Sequence, residues 1–196
     1  MVHFILLSLV IATQPKVGFG IGQTLGSHLL TPSLFTMRVP LGESFVIAPE
    51  LNFAYSSSDA EIDSVTGSNY TVGIEGNLHY AILKRNKTSL YGIGGIGFKI
   101  SKDTRNWYEH WYPDSLVEIE EVTSSHSYGI NLGLGMEQFL RDNLSIYISS
   151  LSNITRTSEE KERKRDGEEE TIRKNTDLSL DFQNLKCCIY LIWYIL

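Results

Sequence analysis

Phe45-Val46-Ile47-Ala48-Pro49-Glu50-Leu51-Asn52-Phe53-Ala54-Tyr55 alternates two kinds of residue without a break. Its odd positions carry Phe, Ile, Pro, Leu, Phe and Tyr; its even positions carry Val, Ala, Glu, Asn and Ala. Successive side chains on a β-strand point to opposite faces, so one face here is greasy and aromatic and the other is small and polar. A soluble sandwich buries its greasy face and coats the other with Lys, Glu and Thr. A barrel that crosses a membrane turns the greasy face out to lipid and keeps glycine, amides and buried charge within. The small, glycine-rich polar faces of this chain favour the second arrangement.

Working outward, the same period appears in Val17-Gly18-Phe19-Gly20-Ile21-Gly22-Gln23-Thr24-Leu25, where large apolar residues alternate with glycine. A nucleotide-binding glycine motif must follow a strand and open a helix, whereas these glycines lie inside one. Ser33 to Val39, Tyr70 to Ile82, Leu90 to Ile100, Tyr128 to Leu140, Leu144 to Ser149 and residues 178–196 supply the remaining strands, eight in all. On the Tyr70 strand the even positions face outward. Short turns fall at residues 40–44, 84–87 and 141–143, and long connections at 26–32, 57–68, 102–123 and 157–175. Loops sorted by length in this way place every short turn at one end, as bacterial barrels require. The fold expected is all-β, an eight-stranded antiparallel up-and-down transmembrane β-barrel. The last strand fits least well, because Cys187 to Leu196 is apolar at both parities.

A chain of 196 residues has room for one domain. No stretch between residues 13 and 184 approaches the roughly 18 apolar residues of a spanning helix. The net charge of −6 argues against nucleic acid as a partner. Cys187 and Cys188 are adjacent, point to opposite faces and can hardly bridge each other. The apolar run Ile5 to Ala12, followed by polar residues, reads as an export signal over residues 1–16, with residues 17–196 as the barrel domain. That signal lacks a basic start and a clean small-x-small site, which fits a truncated beginning.

The fragments PLGESFVIAPELNFAY, LYGIGGIGF and YGINLGLGMEQFLRDNLSIYIS resemble the small eight-stranded outer-membrane barrels grouped with the outer-membrane protein A and X barrels and the opacity-type porins. The resemblance covers roughly residues 17–151 and the closing strand. It implies the bacterial outer membrane, and little about activity. The chain departs from the group at its end, where Leu196 stands in place of the usual terminal aromatic residue, with Trp193 and Tyr194 just before it.

Parity places Arg38, Glu50, Glu75, His79, Lys99 and Glu137 in the lumen. Eight strands leave an interior just wide enough for side chains to fill it, and charges there must pair. Arg38 and Lys99 are expected to bridge the glutamates Glu50, Glu75 and Glu137 as structural ion pairs. A gated ion path through Glu75 and His79 is the functional alternative. The three glutamates lack a nucleophile with an adjacent base, so no catalytic residue is assigned. His126, between Ser125 and Ser127, reads as an exposed loop residue. His3, His28 and His110 share no ligand spacing, so no metal or cofactor is expected. Trp107-Tyr108-Glu109-His110-Trp111-Tyr112 reads as an aromatic anchor at the outer leaflet, with an adhesive patch as the alternative. The acid-base run within 157–175 reads as a solvated loop or hairpin extension, or a helical segment.

These readings converge on a monomeric, non-enzymatic barrel with a filled lumen, in contact with outer-membrane lipid. An extracellular partner would be met at residues 102–123 and 157–175. The other readings are a narrow porin, an outer-membrane acyl hydrolase with a lipid-facing His-Ser pair, and a secreted soluble β-barrel holding a hydrophobic ligand. The last needs the opposite distribution of faces.

Overall fold

The computed structural model describes residues 16–25, 33–60, 65–112, 115–165 and 168–195. Residues 1–15, which hold most of the expected export signal, and the connection at 26–32 lie outside the described residues.

Eight strands follow one another: β1 (Val17–Thr24), β2 (Leu34–Leu41), β3 (Phe45–Ala60), β4 (Val65–Arg85), β5 (Thr88–Tyr112), β6 (Ser115–Arg141), β7 (Leu144–Arg165) and β8 (Glu168–Ile195). Each pairs antiparallel with the next, and β8 returns to β1 through register partners running from Val17↔Ile195 to Thr24↔Cys188. Closure gives the spanning part of every strand two hydrogen-bonded neighbours, which is the condition for a sheet to sit in hydrocarbon. Tight turns join the strands at the end where β1 begins and β8 finishes. The β2–β3 turn needs Gly42, whose φ of +69° no β-branched residue adopts readily. The β4–β5 turn uses Asn86 at φ +52°, a conformation that Asn tolerates.

The alternation read from β3 holds around the wall. Phe45, Leu51 and Phe53 on β3, Ile74 on β4 and Leu132 on β6 are all exposed on the outer face. Glu50 and Glu137, by contrast, are 5% and 1% exposed. That distribution is the reverse of the greasy interior and polar exterior a soluble barrel requires. On β4 the exposed apolar run extends from Tyr70 to Tyr80 and Ile82. At about 3.3 Å per residue and a tilt of about 40°, its height is on the order of 25 Å. Tyr55 pairs with Tyr70 at one rim, and Phe45 packs its ring 5.2 Å from Tyr80 at the other.

The interior is partly apolar, which explains the awkward last strand. Cys188, Tyr190 and Ile192 point inward into a buried cluster with Leu34, Val46, Tyr91, Ile93, Tyr147 and Leu151, while Ile189, Trp193 and Ile195 face out. Both parities of β8 are therefore apolar for two different reasons. The glycines of β1 make room for these rings: a Cβ on Gly18 would lie 2.8 Å from both Ile192 Cγ2 and Tyr194 Cε1. On β6, a Cβ on Gly135 would run into the Tyr147 ring in the same way.

The described parts of the expected long loops are not loops. Residues 57–60 and 65–68, 102–112 and 115–123, and 157–165 and 168–175 continue their strands as paired ladders: β5 is 25 residues long, β6 27 and β8 28, against 8 for β1 and β2. Some 9–11 residues suffice to cross a membrane, so much of these strands stands beyond the band. There water replaces lipid around the wall, and the alternation of oily residues stops while the backbone pairing goes on. Cross-strand ion pairs replace it, with Lys161 Nζ 2.8 Å from Glu121 and Lys174 Nζ 2.6 Å from Glu160. The Glu160 carboxylate, through that hydrogen bond and its charge, raises the Lys174 pKa.

The aromatic anchor also needs correcting. Trp107 points inward under the Arg163 guanidinium, 5.5 Å from its carbon, while Tyr108 points outward. Trp107 follows Ile100, the last exposed apolar residue of the band on β5, and by strand rise and tilt it stands roughly 18 Å above it. The side chains of His110, Trp111 and Tyr112 lie outside the described residues.

Candidate functional site

The polar side chains of the lumen form two connected groups. In the first, β2 brings Arg38 across to Glu137 of β6, Nη2 to Oε2 at 3.3 Å, with both side chains 1% exposed. The Glu137 carboxylate also accepts from Tyr91 Oη (3.1 Å), Ser145 Oγ (2.6 Å) and Tyr194 Oη (2.5 Å). Arg38 Nη1 donates to His79 Nδ1 at 3.0 Å. A guanidinium only donates, so that ring nitrogen accepts and His79 carries its proton on Nε2. The guanidinium lies over the Tyr147 ring at 4.3 Å and the Tyr91 ring at 5.0 Å, a cation–π enclosure out of contact with water.

In the second group, Glu50 and Glu75 stand opposite each other on β3 and β4. Two carboxylates in that relation repel unless a cation lies between them. Lys186 of β8 is that cation, with Nζ 3.2 Å from Glu50 and 2.8 Å from Glu75. Tyr190 Oη donates to Glu50 at 2.5 Å, and Asn131 Nδ2 donates to Glu75 at 2.8 Å and to Asn77 Oδ1 at 3.3 Å. Between the two groups lies a cavity of about 10 Å³, bordered by Glu50, Asn77, His79, Tyr147 and Tyr190. That is at most the room for a single water.

Of the five residues assigned to lumen ion pairs, the structure thus brings Arg38 to Glu137, and Glu50 and Glu75 together around a common cation. Lys99 is the exception. It shares the inward face of β5 with Tyr91 and Ile93, but pairs with Gly73 and Ser127 one row above Glu75. It is exposed there, and among the described residues no carboxylate bridges it. Parity fixes which way a side chain points and leaves its height undetermined. Sequence reading missed Lys186 because a bulge opposite Ser152 interrupts β8. The available signal was that Lys186 has the parity of Cys188, Tyr190 and Ile192. The inward tyrosines were missed as well, since tyrosine reads equally as an interfacial residue. Replacing Lys186 with Met should cost on the order of 2 kcal/mol in urea unfolding from vesicles, by leaving two facing carboxylates without a counter-ion. Lys99→Met should leave the midpoint unchanged.

Glu75 and His79, the ends of the alternative ion path, belong to different groups, one held by Lys186 and the other by Arg38. His126 sits in the middle of β6, exposed on the outer face opposite Ser158 of β7, and no hydrogen bond joins the two. His3 and His28 lie outside the described residues.

No protein-family model matches the chain, and no curated protein is similar to it in sequence. Among solved structures, the chain resembles a major outer membrane protein from Thermus thermophilus, with 13% identity over 93% of this chain and 100% of that one and a TM-score of 0.62. It also resembles CarO of Acinetobacter baumannii, with 12% identity over 93% of this chain and 98% of that one and a TM-score of 0.50. The chain therefore has the fold of small outer-membrane β-barrels.

Proposed function

We propose that this chain is a monomeric β-barrel of the bacterial outer membrane that neither catalyses a reaction nor conducts. It stabilises the envelope and meets its surroundings through the tall hairpins at residues 102–123 and 157–175. The observation that carries this reading is the inverted distribution of side chains: a belt of exposed Phe, Leu, Ile and Tyr about 25 Å high around a middle of paired ions, amides and tyrosines. The direction of insertion follows from length, the tight turns facing the periplasm and the hairpins the exterior. In support of a closed lumen, the Arg38 and Lys186 groups each span several strands and leave almost no void between them. The chemistry of the hairpins supports contact with polar partners, since acids and bases of both signs line them.

Two measurements test this. Protein extracted in detergent should migrate differently on a gel before and after boiling; identical mobility would remove the membrane barrel. In planar bilayers the reconstituted protein should give no steady current, and stable open channels would reinstate the narrow porin.

A further inference from the structure

A groove of about 900 Å³ crosses the outer face of the barrel. Its lower row is one line of register partners, Pro49↔Gly76↔Ile96↔Ile130↔Ile154, on β3 to β7. The row above it ends in Tyr128↔Arg156↔Leu178, on β6 to β8. Gly76 opens the groove: nothing lies within 4 Å of where its Cβ would be. The row climbs, since Pro49 is close to the tight-turn end of β3, which starts at Phe45, whereas Ile154 is far along β7, which starts at Leu144. From Pro49 on β3 to Arg156 on β7 are four strand spacings of about 4.8 Å, inclined at about 40°, and one two-residue step along the strand, which together rise roughly 17 Å, about half of a hydrocarbon core about 30 Å thick. The groove thus runs from mid-membrane to the rim of the outer leaflet.

Arg156 stands at that upper end, exposed on the outer face, and among the described residues no carboxylate pairs with it. His126, diagonally adjacent across the β6–β7 ladder, is a second donor on the same face. An apolar channel of one leaflet's depth that ends at a guanidinium with no described carboxylate partner matches a molecule with an acyl chain and a phosphate at its head. We infer that this groove is a binding site for a phosphate-bearing lipid of the outer leaflet, its chain lying over Gly76 and its phosphate held by Arg156. The inference rests on the membrane reading above, and goes beyond it in naming one lipid class at one place on the wall.

Native mass spectrometry of the detergent-solubilised protein tests it, using dimyristoyl phosphatidic acid and the matched diacylglycerol as probes and inorganic phosphate as competitor. The wild type should hold one phosphatidic acid about tenfold more tightly than diacylglycerol, in line with one charge-assisted contact. Arg156→Gln should abolish that preference. Gly76→Leu, which fills the groove from an open position, should reduce retention of both lipids. Equal retention of the two probes by the wild type, full displacement by inorganic phosphate, or unchanged retention in Gly76→Leu would each overturn the site. Unboiled gels of the same samples report the barrel itself, so loss of the gel shift marks failure of the membrane reading and not of the groove.

Discussion

Replacing Arg38 with Met should destabilise the barrel by about 3–5 kcal/mol, because it strands the Glu137 carboxylate at 1% exposure without its cation. Glu137→Gln should cost a similar amount by stranding the guanidinium, whose surroundings are otherwise the neutral His79 and two tyrosine rings. The double variant Arg38→Met/Glu137→Gln removes both charges together, and should lose much less than the sum of the single losses. Urea unfolding from phosphatidylcholine vesicles gives the three midpoints; at a slope of about 1–3 kcal/mol per molar, each single variant should shift by roughly 2 M. Additive losses would mean that the pair is not coupled, and that hydrogen bonds from Tyr91, Ser145 and Tyr194 alone satisfy Glu137.

Leu134→Arg should cost about 2–4 kcal/mol, the penalty for a guanidinium facing lipid near the bilayer midplane. Leu134 is 56% exposed and lies midway between Tyr128 and Leu140 on the outer face of β6. On a soluble barrel the same change would be close to neutral, as most surface substitutions are. Ser124→Arg, on the same face of β6 but beyond the apolar belt, is the control and should be silent. An equal, small effect at both positions would place Leu134 in water and remove the bilayer from the account.

Much of the architecture was legible because a strand writes its two environments into alternate residues. Phe45 to Tyr55 carried that record without ambiguity, and the glycines of β1 already implied close inward packing. What was illegible followed from the same period. Parity could not say that Lys99 stands above the packed layer while Lys186, hidden behind a bulge, enters it. It also could not follow strands past the membrane, where water replaces lipid and the oily alternation ends at Ile100 although pairing continues to Tyr112. Tyrosine has an apolar ring and a polar tip, so it suits an interface and a crowded lumen equally. Parity sets Tyr147 beside Ser145 and Ser149 on the inner face, whereas Tyr190, on a strand apolar at both parities, could not be told from the outward Tyr55 and Tyr70. The Arg156 groove was invisible for a further reason: it is written across six strands and along none.

Glu137 belongs to β6, and its four donors come from β2, β5, β7 and β8. Strands that far apart in the chain converge on one carboxylate only when the ring is complete. Until β8 has joined β7 to deliver the Tyr194 hydroxyl, and the sheet has curled far enough to bring Arg38 of β2 across, that carboxylate lacks a donor and its cation. The acid therefore acts as a clasp whose fastening registers the arrival of the last strand, and it favours the finished cylinder over any half-zipped sheet.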